Sequence, residues 1–139
     1  MKWVSALLGL LVAALGPAAA QSTHGDRLVM FEEKGCSYCV VWDQQVGTIY
    51  AKTDEAQKLP LRRVELNVSR PRDLRSLKRV TVAPTFVIMH CGKEFRRITG
   101  YIGEDQFWGL LDATLRDLGT PTAGTGGTSS TESSLTCKA

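Results

Sequence analysis

Blocks of apolar and polar residues follow one another along this chain, and their lengths and periods predict its elements. Leu28 to Phe31 are continuously apolar, the pattern of a short strand buried on both faces. A helix is predicted from Cys36 to about Ala51. Val40, Val41, Val46, Ile49 and Tyr50 supply its buried side, and Gly47 weakens it locally. Thr53 to Pro60 is polar and reads as a loop. Between Leu61 and Val68, the apolar Val64, Leu66 and Val68 alternate with Arg63, Glu65 and Asn67, which predicts a half-exposed strand. Pro71 to Arg79 reads as a short basic helix with Leu74 and Leu77 facing inward. Thr85 to Met89 predict a strand, Cys91-Gly92-Lys93 a tight turn, and Glu94 to Thr99 the hairpin partner. Gly100 to Gly103 lead into a last helix with the apolar stripe Phe107, Trp108, Leu111, Leu115 and Leu118. Glu104 and Asp105 suit its positive N-terminus, and Gly119 with Pro121 ends it.

The resulting order is β-α-β-α-β-β-α. A parallel β-α-β unit followed by an antiparallel hairpin and a covering helix predicts an α/β sheet with helices on both faces.

The ends of the chain read differently. Lys2 is a one-charge n-region, Trp3 to Leu15 form a short apolar run, and Gly16-Pro17 followed by Ala18-Ala19-Ala20 gives a breaker and a small-residue cleavage pattern. The run is short of the roughly 20 apolar residues a spanning helix needs. Residues 1–20 are therefore expected to be a signal peptide cleaved near Ala20, so that the mature protein is exported. Residues 21–26 are a flexible start and 27–119 the folded domain. The tail, 120–139, is dominated by glycine, serine and threonine, with Leu135 its only large aliphatic residue. It cannot bury enough apolar surface to offset its ordering entropy and is expected to be disordered.

Composition narrows the function. The whole chain has 139 residues and a net charge of +3, of which Lys2 leaves with the signal peptide. That balance does not point to nucleic acid, and the expected size is one small domain, read as a monomer. Export places its four cysteines in an oxidising compartment, where a pair becomes a disulfide by default.

The pair of interest is Cys36-Ser37-Tyr38-Cys39, after the first strand and at the start of a helix. A helix N-terminus offers unpaired N–H groups and partial positive charge, both of which stabilise a thiolate. Cys36, at the exposed end, is the expected nucleophile. Cys39, one turn in, is placed to resolve a mixed disulfide. No cofactor is needed beyond a redox partner. Three other readings compete. As a structural staple, so small a loop would constrain the unfolded chain very little. A zinc site would have to draw on Cys91, Cys137, His24 and His90, whose spacing matches no zinc pattern, so no metal site is assigned. A soft-metal carrier, for copper, could use the two thiolates.

Val82-Ala83-Pro84-Thr85 supplies a second signal, because proline belongs at the first residue or edge of a strand. Together with the C-x-x-C it resembles the thioredoxin superfamily, in a glutaredoxin-sized form. The resemblance implies that Pro84 is a cis-proline facing the dithiol. It also implies that the Ala83 backbone pairs with a bound substrate segment, with Ser37 and Tyr38 beside it. Gly35-Cys36, Cys39, Trp42-Asp43, Ala83-Pro84-Thr85-Phe86 and the segment from Gly100 to Trp108 are similar to the exported SoxS-type thioredoxin-like proteins of bacterial sulfur-oxidation systems. That similarity implies a periplasmic reductase of a disulfide or persulfide on a sulfur-carrier protein, with electrons from a membrane thiol donor. An oxidase or isomerase of the same fold would use the same residues.

The chain departs from the family in two places. Thioredoxins carry a buried acid six residues before the first cysteine, where this chain has Met30; Glu32 and Glu33 are nearer and expected to be solvated. Ser37-Tyr38 replaces the thioredoxin Gly-Pro. Cys91 and Cys137 could pair or remain thiols. Arg70, Arg72, Arg75, Lys78 and Arg79 form a basic patch that reads as a solvated face or as steering for an acidic partner. Trp42, Tyr50, Phe107 and Trp108 are core or rim aromatics, and His24 and His90 receive no role.

Overall fold

The computed structural model describes residues 25–119. The expected signal peptide, most of the flexible start, and the tail with Cys137 lie outside the described residues. Strands β1 (Arg27–Glu32), β2 (Leu61–Glu65), β3 (Thr85–His90) and β4 (Lys93–Thr99) form one sheet in the order β2-β1-β3-β4. β1 and β2 are parallel, with Met30 opposite Arg63. β3 runs antiparallel to both β1 and β4. A parallel pair needs a long crossover. It consists of α1 (Ser37–Trp42), a π-helical turn (Asp43–Gly47), α2 (Thr48–Tyr50) and α3 (Asp54–Lys58). The chain of elements closes with α4 (Glu104–Gly119).

The central strand β1 explains both cores. Side chains alternate across a strand, so Leu28 and Met30 enter one cluster and Val29 and Phe31 the other. On the first face they meet Trp42, Val46 and Tyr50 from the crossover and Phe107 and Leu111 from α4. Phe107 sits edge-on to Trp42, Phe86 and Trp108. The second face is covered by Leu74, Leu77 and Val80.

The α/β architecture agrees with the sequence expectation, and four details differ. The strand expected to run from Leu61 to Val68 ends at Glu65, and Val68 is exposed. The segment expected as a helix over Pro71–Arg79 contains a single 3₁₀ turn, Arg72–Leu74. Its carbonyls are taken by guanidinium groups instead: Arg70 donates to Leu77 O and Arg97 to Lys78 O and Arg79 O. Leu74 and Leu77 still face inward. Thr53–Pro60, read as a loop, holds α3, capped by the Thr53 hydroxyl accepting from Ala56 N–H. In the long helical crossover the buried side is Cys39, Trp42, Val46 and Tyr50, whereas Val40, Val41 and Ile49 are exposed. Burying Cys39 sets the helix phase, and that phase turns the two valines outward.

Candidate active site

Cys36 and Cys39 form a disulfide with a Cα–Cα distance of 5.3 Å. Gly35, at φ +78°, reverses the chain after β1 in a conformation that favours glycine. Cys36 then caps the helix: its Sγ accepts from Cys39 N–H at 3.1 Å. This bond reaches the sulfur at the point where the free amides of the first turn converge. Cys39 is 5% exposed and belongs to the first core cluster, against which Cys36 packs from the edge.

Antiparallel pairing brings the second segment to the same place. Thr85 at the start of β3 is opposite Phe31 near the end of β1, so Ala83-Pro84 lies at the sheet end from which the chain runs on to Cys36. The Ala83–Pro84 peptide bond is cis. Pro84 O accepts from Gly100 N–H at 2.8 Å, and the Thr85 hydroxyl donates to Val82 O at 2.7 Å. The Ala83 backbone makes no hydrogen bond among the described residues. Ala83 packs against the cluster that holds Cys39.

Gly100 leads into a shallow cleft of about 200 Å³ between β4 and α4, lined in part by Ile98, Tyr101, Ile102 and Phe107. Sequence reasoning passed over the bond that anchors this wall: Tyr101 OH donates to Gln45 Oε1 at 2.6 Å. Gln45 lies in the π-helical turn, a local widening that pattern rules do not detect.

The acids near the dithiol have partners. Glu32 is paired with Arg63 at 2.6 Å, and Arg63 also binds Asp43 and lies over the Trp42 ring. The hydrogen bond to Asp43, with further support from Glu32, holds the Arg63 guanidinium above its already high ordinary value. Glu33 accepts from Asn67 at 3.0 Å. Met30 is fully buried. Burial, with Glu104 and Asp105 nearby, pushes the Tyr101 phenol up.

Elsewhere, Arg70 is bound into the 70–78 segment, while Arg72, Arg75, Lys78 and Arg79 are exposed. His24 lies outside the described residues. His90, left without a role by the sequence, pairs with Asp26 at the other end of the sheet. Cys91 is disulfide-bonded.

A dithiol at a helix start, at the same sheet end as a cis-proline loop on a mixed sheet, defines a thiol–disulfide oxidoreductase of thioredoxin fold. The chain belongs to the thioredoxin-like domain family, whose model matches residues 15–115. It is similar to the periplasmic thioredoxin SoxS from Paracoccus pantotrophus, with 40% identity over 66% of this chain and 96% of that one, at a TM-score of 0.62. A Thermus thermophilus thioredoxin, 20% identical over 66% of this chain and 74% of that one (TM-score 0.53), shares the fold. So does a Malassezia sympodialis thioredoxin, 17% identical over 68% and 80% (TM-score 0.51). A comparison with curated protein sequences found no match. Among the described residues, no helix is long and apolar enough to cross a membrane.

Proposed function

We propose that this protein is a periplasmic reductase that opens a disulfide or persulfide on a partner protein, a sulfur carrier of a sulfur-oxidation system. The observation that carries the reading is the 40% identity to a periplasmic thioredoxin SoxS across nearly all of that protein, with Cys36–Cys39 at the helix start. The Cys36 thiolate attacks the partner's sulfur and releases one partner thiolate, leaving a mixed disulfide. Cys39 then attacks Cys36 Sγ, the partner leaves as a second thiolate, and the Cys36–Cys39 disulfide forms. Two electrons pass to the partner, and a membrane thiol donor restores the dithiol. The exposure difference between the cysteines supports this order of attack.

Substrate docking falls to Ser37, Tyr38, Ala83 and Pro84. The open Ala83 amide and carbonyl suit strand addition by an extended partner segment. Tyr38, Val82 and Ile102, exposed by 61%, 46% and 77%, are apolar side chains on the three segments that surround this end of the sheet. They supply contact area around the disulfide. Processing near Ala20 completes the proposed monomeric periplasmic form.

Trapping tests the reading. Reduced Cys39→Ser protein should form a stable mixed disulfide through Cys36 with insulin and with one major protein of the host's periplasmic extract, while Cys36→Ser protein traps neither. Adducts carried by Cys39 in the Cys36→Ser variant, or a wild-type protein that leaves insulin disulfides intact, would reverse the assignment.

A further inference from the structure

The segment that leads into the cis-proline loop carries the protein's excess of positive charge. Residues 69–82 hold five cations and one acid, a net +4, against +3 for the whole chain, so the remainder carries −1. Leu74, Leu77 and Val80 are buried at every third position, and Arg72, Arg75, Lys78 and Arg79 between them face solvent. The backbone that displays these cations is held from beneath. Arg70, lying over the Phe31 ring, donates to Leu77 O, and Arg97 donates to Lys78 O and Arg79 O. The one acid of the segment, Asp73, is bound by Arg62 and faces Arg27. Elsewhere Arg62, Arg63, Arg96 and Arg97 each pair with a carboxylate. Arg72, Arg75, Lys78 and Arg79 pair with none among the described residues. The other side of the exchange site has the opposite sign. Past the hydrogen bond from Gly100 to Pro84, α4 opens with exposed Glu104 and Asp105. Next to the dithiol, Glu33 and Lys34 adjoin and offset each other.

We propose that the face formed by Arg72, Arg75, Lys78 and Arg79 docks an acidic protein partner and sets its orientation over Cys36. The partner's acids lie on the 72–79 side, away from Glu104 and Asp105. This rests on the reductase reading and adds to it the charge of the substrate surface. Distance allows one partner to meet both places. Arg79 precedes Ala83 by four residues, so at most about 14 Å of chain separates them. An ordinary interface covers about 800 Å² of each partner, a disc about 16 Å in radius. A protein docked over Ala83 therefore also covers Lys78 and Arg79. Opposite charges across such a contact raise the rate of encounter and fix its register. The acidic side of the site narrows the class of partner. A nucleic acid or an anionic membrane is negative throughout and would meet Glu104 and Asp105 as well. No aromatic residue is interleaved with the cations of 69–82, and stacking on single-stranded bases needs one. A protein with acids on one side of its reacting sulfur matches both signs.

The test uses the reduced mature chain and three peptide disulfides of equal length, with glutamates, glutamines or lysines on one side of the cysteine. Oxidation of the Cys36–Cys39 peptide is followed by mass spectrometry. Each rate is divided by that of dithiothreitol with the same peptide, which removes differences in intrinsic reactivity. At low salt the wild type should prefer the glutamate over the glutamine peptide about tenfold, and the preference should vanish near about 0.5 M salt. Lys78→Gln/Arg79→Gln should cut the preference to about threefold or less. Lys52→Gln/Lys58→Gln removes the same charge from the stretch that leads to the start of β2 and should leave the preference intact. The preference is a ratio within each protein, so a general loss of activity cancels. Equal wild-type rates for the glutamate and glutamine peptides at low salt overturn this proposal alone. So does a preference untouched by Lys78→Gln/Arg79→Gln, or lost equally in Lys52→Gln/Lys58→Gln. Binding to phosphatidylglycerol vesicles through Lys78 and Arg79, without a peptide preference, assigns the face to a membrane and overturns it too. Failure of the glutamine peptide to oxidise Cys36–Cys39 overturns the reductase reading and the proposal with it.

Discussion

Tyr50 ends α2, the last part of the helical run that begins after Cys36, and its hydroxyl ties that end to the chain entering β2. The ring is 1% exposed, and its hydroxyl donates to Leu59 O at 2.8 Å. Tyr50→Phe removes the donor and leaves a buried carbonyl unpaired, a loss of about 1–2 kcal/mol at neutral pH. Burial, reinforced by the Glu55 carboxylate, pushes the phenol well above the ordinary tyrosine range. A folded-state value raised above the unfolded one gives stability that is fully present below about pH 10 and is lost as pH rises toward the folded value. One pH unit above 10 removes about 1.4 kcal/mol from the wild type and nothing from the phenylalanine variant at this site. The two proteins should therefore differ by about 1–2 kcal/mol at pH 7 and become nearly equal close to pH 11. Lysine titration acts on both and cancels in the difference. Urea unfolding followed by tryptophan fluorescence at pH 7, 9, 10 and 11 measures the gap, provided m is unchanged. A gap that stays constant over that range would refute the linkage, and no gap at pH 7 would refute the hydrogen-bond argument.

Three further outcomes follow from packing. In Gly47→Ala, an added Cβ would lie 2.9 Å from Asp43 Oδ1 and 3.1 Å from the buried Trp42 ring. The carboxylate can swing away but the ring cannot, so the helix-propensity gain is lost and the variant unfolds about 1–3 kcal/mol more easily in urea. Phe107→Ala removes a ring packed among Trp42, Phe86, Tyr101 and Trp108 and should cost about 3–5 kcal/mol in the same assay. Arg97→Ala takes away the donors to Lys78 O and Arg79 O, which hold the segment entering Val82-Ala83-Pro84. Insulin reduction should then show a raised KM with kcat little changed, and an unchanged KM would mean that this strap does not position the docking loop.

The strands were legible wherever the pattern was local. The apolar run Leu28–Phe31 is β1, the turn at Cys91–Gly92 joins β3 to β4, and the Phe107–Leu118 stripe lies on α4. The dithiol and its place at a helix start were equally readable, because spacing alone specifies them. The helix phase was not, since Val40 and Val41 look as apolar as Val46 and only the burial of Cys39 decides between them. α3 carries one small half-buried apolar residue, Ala56, so periodicity was silent there, although Thr53 followed by Asp54 and Glu55 was a usable capping signal. The missed contacts join residues far apart in sequence. Gln45 with Tyr101, Arg63 with Glu32 and Asp43, and His90 with Asp26 are set by sheet register and packing. No local pattern encodes them.

The central claim is the direction of electron flow at Cys36–Cys39. Equilibrating the purified protein with defined glutathione ratios, and counting the oxidised Cys36–Cys39 peptide by mass spectrometry, gives the reduction potential of that pair alone. A reductase of the thioredoxin class should sit near about −270 mV, and a value near about −120 mV, that of a strong disulfide-forming oxidant, would contradict the account.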